Sequence, residues 1–235
     1  MKNYFETKTV IGDKTLSAQE IMSILEGAAG GDTARWEVST EQMAKRFSAV
    51  WMIVRCVVNL KSPITGPGEV ICRTCHRGFN GVLAYRDYDL FLNGELVGTV
   101  VQVWIISDIA TRKMLRPKNL PGFVLPDSED PRDTLISKLI TPNDLTSVGS
   151  YTVVPSDIDA NGHMNNSRYL SVAQALLGED FKACDFKVGF LKESMLGDNI
   201  SLYRADTDEG IHIRGCHDNG TACFDVLFLT KNKDI

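Results

Sequence analysis

No stretch of this 235-residue chain approaches the roughly 18 consecutive apolar residues that a membrane-spanning helix requires; the longest apolar runs, such as residues 100–106, are short and are broken by Gln102. Positive charge is also scarce. Lys and Arg total 25 against 30 Asp and Glu, a formal net charge of -5, and no basic stripe interleaved with aromatics is present to neutralise a phosphate backbone, so general nucleic-acid binding is excluded. Zinc-finger spacing is missing as well. Cys72 and Cys75 form a single Cys-x-x-Cys followed by His76, and Cys216, His217 and Cys223 stand far from it without a second pair at metal-ligand spacing. Residues three apart on a strand point to opposite faces, so these cysteines are read as small buried hydrophobes, with no metal and no cofactor expected. The N-terminal Met-Lys-Asn-Tyr-Phe-Glu has no apolar core of a secretion signal, and the six cysteines lie mostly in strand-like runs. A soluble cytoplasmic protein with reduced thiols is the expectation.

The chain has ample length to bury a core. Ser17-Ala-Gln-Glu20 reads as a capping box, followed by Ile21, Ile24, Leu25 and Ala28 at helical spacing, which predicts an amphipathic helix ending near Gly30-Gly31. A shorter helix is predicted from Ser39, with Gln42 as its box partner. Val50, Met52, Val54, Cys56, Val58 and Leu60 then alternate along one long strand, and further strands are predicted at 69–76, 82–92 and 95–107, the last two joined by a tight hairpin at Asn93-Gly94. The second part repeats this order. A helix over about 165–177, with Tyr169, Leu170, Ala173, Leu176 and Leu177 as its apolar stripe, precedes strands near 184–193, 198–206, 210–217 and 221–230, and Asp218-Asn-Gly220 sits where Asn93-Gly94 sits earlier. Residues 114–145 hold five of the eight prolines and read as a crossover. The fold class this implies is α+β, a tandem (double) hot-dog with two antiparallel sheets each wrapping a central helix. Its expected parts are an N-terminal unit over 1–113, a crossover over 114–145 and a C-terminal unit over 146–235.

Residues 157–170, Asp-Ile-Asp-Ala-Asn-Gly-His-Met-Asn-Asn-Ser-Arg-Tyr-Leu, crowd an acid, an amide and an imidazole ahead of the second long helix. Asp159, Asn161 and His163 recur at every second residue, so an extended approach would point all three the same way, and Asn165 or Asn166 can cap the helix. Unpaired N–H groups at that helix start, near 164–166, would then face a developing oxyanion, an arrangement suited to acyl transfer.

These residues resemble the acyl-acyl-carrier-protein thioesterases, whose motif Asp-x-Asn-x-His-x-Asn-Asn-x-x-Tyr is matched by Asp159, Asn161, His163, Asn165, Asn166 and Tyr169. Residues 190–198, Phe-Leu-Lys-Glu-Ser-Met-Leu-Gly-Asp, are similar to the segment bearing that family's catalytic Glu, a role the resemblance gives to Glu193. Residues 104–117 look like the stretch closing the first hot-dog unit. Where plant members have a Cys directly after the Glu, this chain has Ser194, so a thiol nucleophile has no support there.

The resemblance implies a thioester hydrolase acting on fatty acyl-acyl carrier protein in fatty acid biosynthesis. Glu193 or His163 would activate water, Asn161 would hold the water or the substrate oxygen, and Asp159 would orient its neighbours. Only one such site is expected, since the first half has Ser62 where the second has Glu193, and no His or Asn among residues 10–16. Substrate-binding positions are assigned to Asn165 and Asn166 beside the site and to Ile21, Met22, Leu25 and Trp51 in the first half, all four of which serve equally well as ordinary core. Arg112, Lys113, Arg116 and Lys118, joined by Arg168, Lys182, Lys187 and Lys192, would meet an acidic carrier protein. A hot-dog thioesterase for coenzyme A esters is the nearest alternative, followed by a double hot-dog hydratase or dehydratase and a non-catalytic acyl-binding module. The sequence leaves monomer and homodimer open.

Overall fold

The computed structural model describes residues 4–125, 136–178 and 181–230. Its chain divides into two compact units that interleave in sequence. The first comprises Met1–Asp13, Ile24–Cys56 and Gly66–Ser137, the second Lys14–Ser23, Val57–Thr65 and Lys138–Ile235. The architecture is the expected double hot-dog, α+β with antiparallel sheets and few helices.

In the first unit the strands are β1 (Phe5–Ile11), β2 (Ala49–Leu60, of which residues 49–56 belong here), β3 (Gly68–Asn80), β4 (Leu83–Leu92) and β5 (Glu95–Asp108), in the order β1-β3-β4-β5-β2. The hairpin between β4 and β5 turns at Asn93 and Gly94, both at positive φ (51° and 86°), the backbone that an Asn-Gly pair adopts at little cost. A two-residue strand, β6 (Met114–Leu115), pairs with the end of β5, so the beginning of the predicted crossover is ordered against the sheet. Pro126 and Pro131 of that stretch lie outside the described residues.

Helix α1 spans Ala18–Arg35, capped as predicted: Glu20 N donates to Ser17 Oγ (3.2 Å) and Ser17 N to Glu20 Oε2 (2.8 Å). It does not stop at Gly30-Gly31. A Cβ on Gly31 would stand 2.4 Å from the Phe5 ring of β1, so this glycine admits a close neighbour inside the helix. One residue on, Asp32 is 1 % exposed and accepts from Arg86 Nη1 on β4 and Arg35 Nε, each at 2.6 Å, which holds the last turn of the helix in place. Helix α2 (Thr40–Phe47) carries the predicted box between Ser39 and Gln42. Its Met43 is buried with Val38, Ala49, Ile106 and Leu120, and Trp36, Phe47, Trp51, Phe79 and Phe123 pack around that cluster.

In the second unit the strands are β7 (Thr146–Thr152), β8 (Phe186–Phe190), β9 (Asn199–Thr207), β10 (Gly210–His217) and β11 (Ala222–Leu229), in the order β8-β11-β10-β9-β7. Helix α3 (Asn166–Ala175) buries Tyr169, Leu170, Val172 and Ala173, and the Tyr169 ring meets those of Phe224 (5.3 Å between centroids) and Phe190 (6.0 Å). The alternation predicted along β2 holds only at its far end. Cys56, Val58 and Leu60 are buried, but earlier in the strand Ala49 and Ile53 are buried while Val50, Met52 and Val54 are half-buried. The buried face changes between Ile53 and Cys56, just ahead of the point where the strand leaves the first unit. Strands β1 and β7 escape sequence reading because they close their sheets, with one neighbour each and a largely solvated, polar composition. No helix among the described residues is long and apolar enough to cross a membrane.

Candidate active site

Every residue of the site proper lies in the second unit, between β7 and α3 and just after β8. Its foundation is Asp157, which the sequence did not single out. The buried Asp157 carboxylate accepts from Tyr151 Oη (2.6 Å), Val154 N (2.9 Å) and Arg168 Nε (2.7 Å), and its carbonyl accepts from Asn165 N (2.8 Å). Both ends of the loop from 157 to 165 are thereby tied to one residue. Within the loop, Asp159 closes a tight turn: Asp159 N donates to the His163 carbonyl (2.9 Å), while its Oδ1 accepts from the amides of Asn161 (2.8 Å) and His163 (3.4 Å). The extended approach expected for Asp159, Asn161 and His163 is therefore wrong. A carboxylate two residues ahead of a free amide captures it and bends the chain into a turn.

The helix start differs from expectation too. Asn165 caps α3 as predicted, accepting from Ser167 N (2.8 Å) and Ser167 Oγ (2.6 Å). However, Met164 N donates to the Ser194 carbonyl (2.8 Å) and Asn165 N to Asp157, so two of the three amides expected to face an oxyanion are already engaged. The half-buried Asn166 supplies the third. Asn161 donates one side-chain N–H to Asp159 Oδ2 (3.3 Å) and is itself exposed.

Glu193 reaches this loop from a turn that follows β8. His163 Nε2 and Glu193 Oε2 stand 3.4 Å apart, with side chains 19 % and 28 % exposed, so an imidazole and a carboxylate meet at a partly solvated surface. What brings them together is their neighbours in sequence. Met164 N bonds Ser194 O, and the fully buried Ser194 also donates its own N–H to Tyr169 Oη (3.0 Å) and shares a hydrogen bond with His217 Nε2 (2.8 Å). Burial pushes Tyr169 up to about 12, so its hydroxyl stays protonated. Tyr169 was legible in the motif; Asp157 and Tyr151 were not singled out, and His217 was noticed only beside Cys216 and Cys223, since each acts through a partner supplied by another part of the chain.

The positions assigned to the first half are buried apolar groups. Ile21, Met22 and Leu25 of α1 are fully buried, and Trp51 donates Nε1–H to the Val38 carbonyl (2.8 Å) while stacking on Phe79. Arg112, Lys113, Arg116 and Lys118 are all exposed. Arg168 differs from these: its guanidinium is bound to Asp157 and Gln19 and does not belong to an outward-facing cationic patch. All six cysteines are free thiols, and burial pushes Cys56, Cys72 and Cys223 up to about 12, where they remain protonated and unreactive. Among the described residues no cluster of His, Cys, Asp and Glu is placed to hold a metal ion.

Two carboxylates set an acid limit on this unit. Burial alone would raise both. Hydrogen bonds from Tyr151, Val154 N and Arg168 instead hold Asp157 below its ordinary value, and Arg214 and His212 do the same for Asp225. A carboxyl whose pKa is lower folded than unfolded stabilises the fold above about pH 4, and that contribution disappears as the pH falls through the folded value. Melting temperature is thus expected to decline below about pH 4. Asp225→Asn should melt lower than the parent at pH 7 and lose less between about pH 4 and 2; an unchanged acid slope in that variant would refute the assignment.

Residues 5–119 match the model of the acyl-ACP thioesterase N-terminal domain, and residues 141–221 that of the acyl-ACP thioesterase C-terminal domain. In structure the chain is similar to an acyl-ACP thioesterase from Bacteroides thetaiotaomicron, at 17 % identity over 96 % of this chain and 97 % of that one, with a TM-score of 0.82. It is also similar to the 12:0-ACP thioesterase from Umbellularia californica, at 18 % identity over 95 % of each chain, with a TM-score of 0.76. At such identities the likeness is one of fold. No curated protein matches the sequence.

Proposed function

Because the chain belongs to the acyl-ACP thioesterase family, and is a thioester hydrolase, we propose that it cleaves fatty acyl-acyl carrier protein into free fatty acid and carrier protein with water activated by Glu193 and His163. The observation that carries this reading is the 3.4 Å approach of His163 Nε2 to Glu193 Oε2, two groups 30 residues apart in sequence. A carboxylate and an imidazole in contact can take a proton from water as its oxygen adds to the thioester carbonyl, then deliver one to the departing sulfur as the tetrahedral adduct collapses. The exposed Asn161 side chain and the Asn166 N–H are suited to hold the carbonyl oxygen as it gains charge. Asp159 maintains the turn that presents Asn161 and His163. The carrier protein is the expected partner. The exposed Arg112, Lys113, Arg116 and Lys118 favour an acidic one, mainly by speeding encounter.

The test is hydrolysis of one acyl chain presented on carrier protein and on coenzyme A, with free fatty acid as the readout. The carrier-protein ester is expected to show kcat/KM about tenfold or more higher, and that preference should shrink with added salt. Equal or faster turnover of the coenzyme A ester would assign the chain to that substrate instead.

A further inference from the structure

Ser194 and His217 form a buried polar knot beneath the site, and the reaction as described makes no direct use of either. Ser194 is 0 % exposed, yet every polar group it carries is engaged: its N–H with Tyr169, its carbonyl with Met164 N, its hydroxyl with His217 Nε2. It directly follows Glu193, and Met164 directly follows His163. The backbone bond from Met164 to Ser194 is therefore the tie between the two turns that present the reacting groups.

His217 is the last residue of β10, and it meets that tie from the side. Its side chain is 14 % exposed, and the same Nε2 that bonds Ser194 lies 3.8 Å from Asp198 Oδ2. Asp198 in turn caps the turn after Ser194, accepting from Met195 N (2.8 Å), and its own N–H and carbonyl bond Met195 O (3.0 Å) and Val153 N (2.9 Å). The arrangement is not a nucleophilic triad. Ser194 has no access to a substrate, and serine and carboxylate both address one imidazole nitrogen, so no proton path runs through the ring.

We propose that His217 is a positioning residue for the Glu193 and His163 pair, acting through the Ser194 hydroxyl to hold the turn that carries Glu193 against the turn that carries His163. Removing the imidazole leaves the Ser194 hydroxyl only its Cys223 and Tyr169 partners in a buried site and lets the Met164 to Ser194 tie slacken. A displacement of about 1 Å between two reacting groups can lower a rate by about a hundredfold without weakening substrate binding.

This inference rests on Glu193 and His163 being the reacting pair, and the experiment separates the two claims. Steady-state fatty acid release is measured for Glu193→Ala, His163→Ala, His217→Ala, His217→Gln, Ser194→Ala and the His217→Ala/Ser194→Ala double variant, each with a thermal melt. Expected are kcat losses of about 10- to 100-fold in His217→Ala and in Ser194→Ala with KM within about threefold of the parent. Recovery to within about threefold is expected in His217→Gln, whose amide can still reach Ser194, and the double variant should be no worse than the poorer single. Unchanged kcat in Ser194→Ala, losses that multiply in the double variant, or glutamine no better than alanine would overturn the positioning role. Should His217→Ala not fold, Ser194→Ala and His217→Gln decide the question. Full turnover by Glu193→Ala or His163→Ala would instead remove the reading beneath it.

Discussion

Glu193→Ala and His163→Ala are each expected to reduce the rate of thioester hydrolysis by about 10²- to 10⁴-fold while leaving the fold intact. The two side chains are partly solvated, and the contacts that hold their turns in place belong to other groups: the Met164 amide on Ser194, Asp159 on two backbone amides, Asp157 on both ends of the loop. Truncating either one therefore removes chemistry more than structure. Residues that act as one unit also lose activity non-additively, so the double alanine variant should be hardly slower than the worse single. Fatty acid release and thermal melts measured on the same preparations provide the check. A single variant that retains parental kcat would exclude its residue from the proton transfers.

The largest expected effect on stability lies in the other unit. Asp32→Ala deletes the carboxylate that faces Arg86, whose side chain is 7 % exposed, and leaves that buried charge with the neutral Thr74 hydroxyl (3.3 Å) in place of its counter-ion. Breaking a buried pair from one side costs about 3–5 kcal/mol. For a chain of this size that corresponds to a fall of about 6–20 °C in melting temperature, at about 2–4 °C per kcal/mol. Replacing both members, as Asp32→Leu with Arg86→Met, should restore much of the loss, since a well-packed apolar pair avoids the desolvation of two charges. The measurement is urea unfolding. A change below about 1 kcal/mol in Asp32→Ala would mean that Arg86 finds solvent or another partner without it.

Features governed by neighbours in sequence were legible without coordinates. The boxes at Ser17 with Glu20 and Ser39 with Gln42, the Asn165 cap and the Asn93-Gly94 hairpin all formed, because each is closed by atoms no more than three residues apart. Reading failed where a distant partner intervened. Gly30-Gly31 signalled a helix stop, but Phe5 and Arg86, from two separate strands, carry α1 onward to Arg35. Alternation along β2 was traced as one face because a string of apolar residues on both faces does not mark where the buried face changes. The amides of Met164 and Asn165 looked available for an oxyanion, and they are not, because the carbonyls of Ser194 and Asp157 reach them first.

By itself the sequence determined which residues are the candidates for the chemistry, namely Asp159, Asn161, His163 and Glu193, and the local caps and turns on which they are mounted. Tertiary structure alone decided that His163 and Glu193 stand 3.4 Å apart, which backbone donors remain for a substrate, and that Asp157, Ser194 and His217 sit beneath the site. The physical reason is one of range. Propensity and capping act over a few residues, whereas a hydrogen bond between 164 and 194, or between 194 and 217, exists only once strand pairing and packing have placed its two ends within reach.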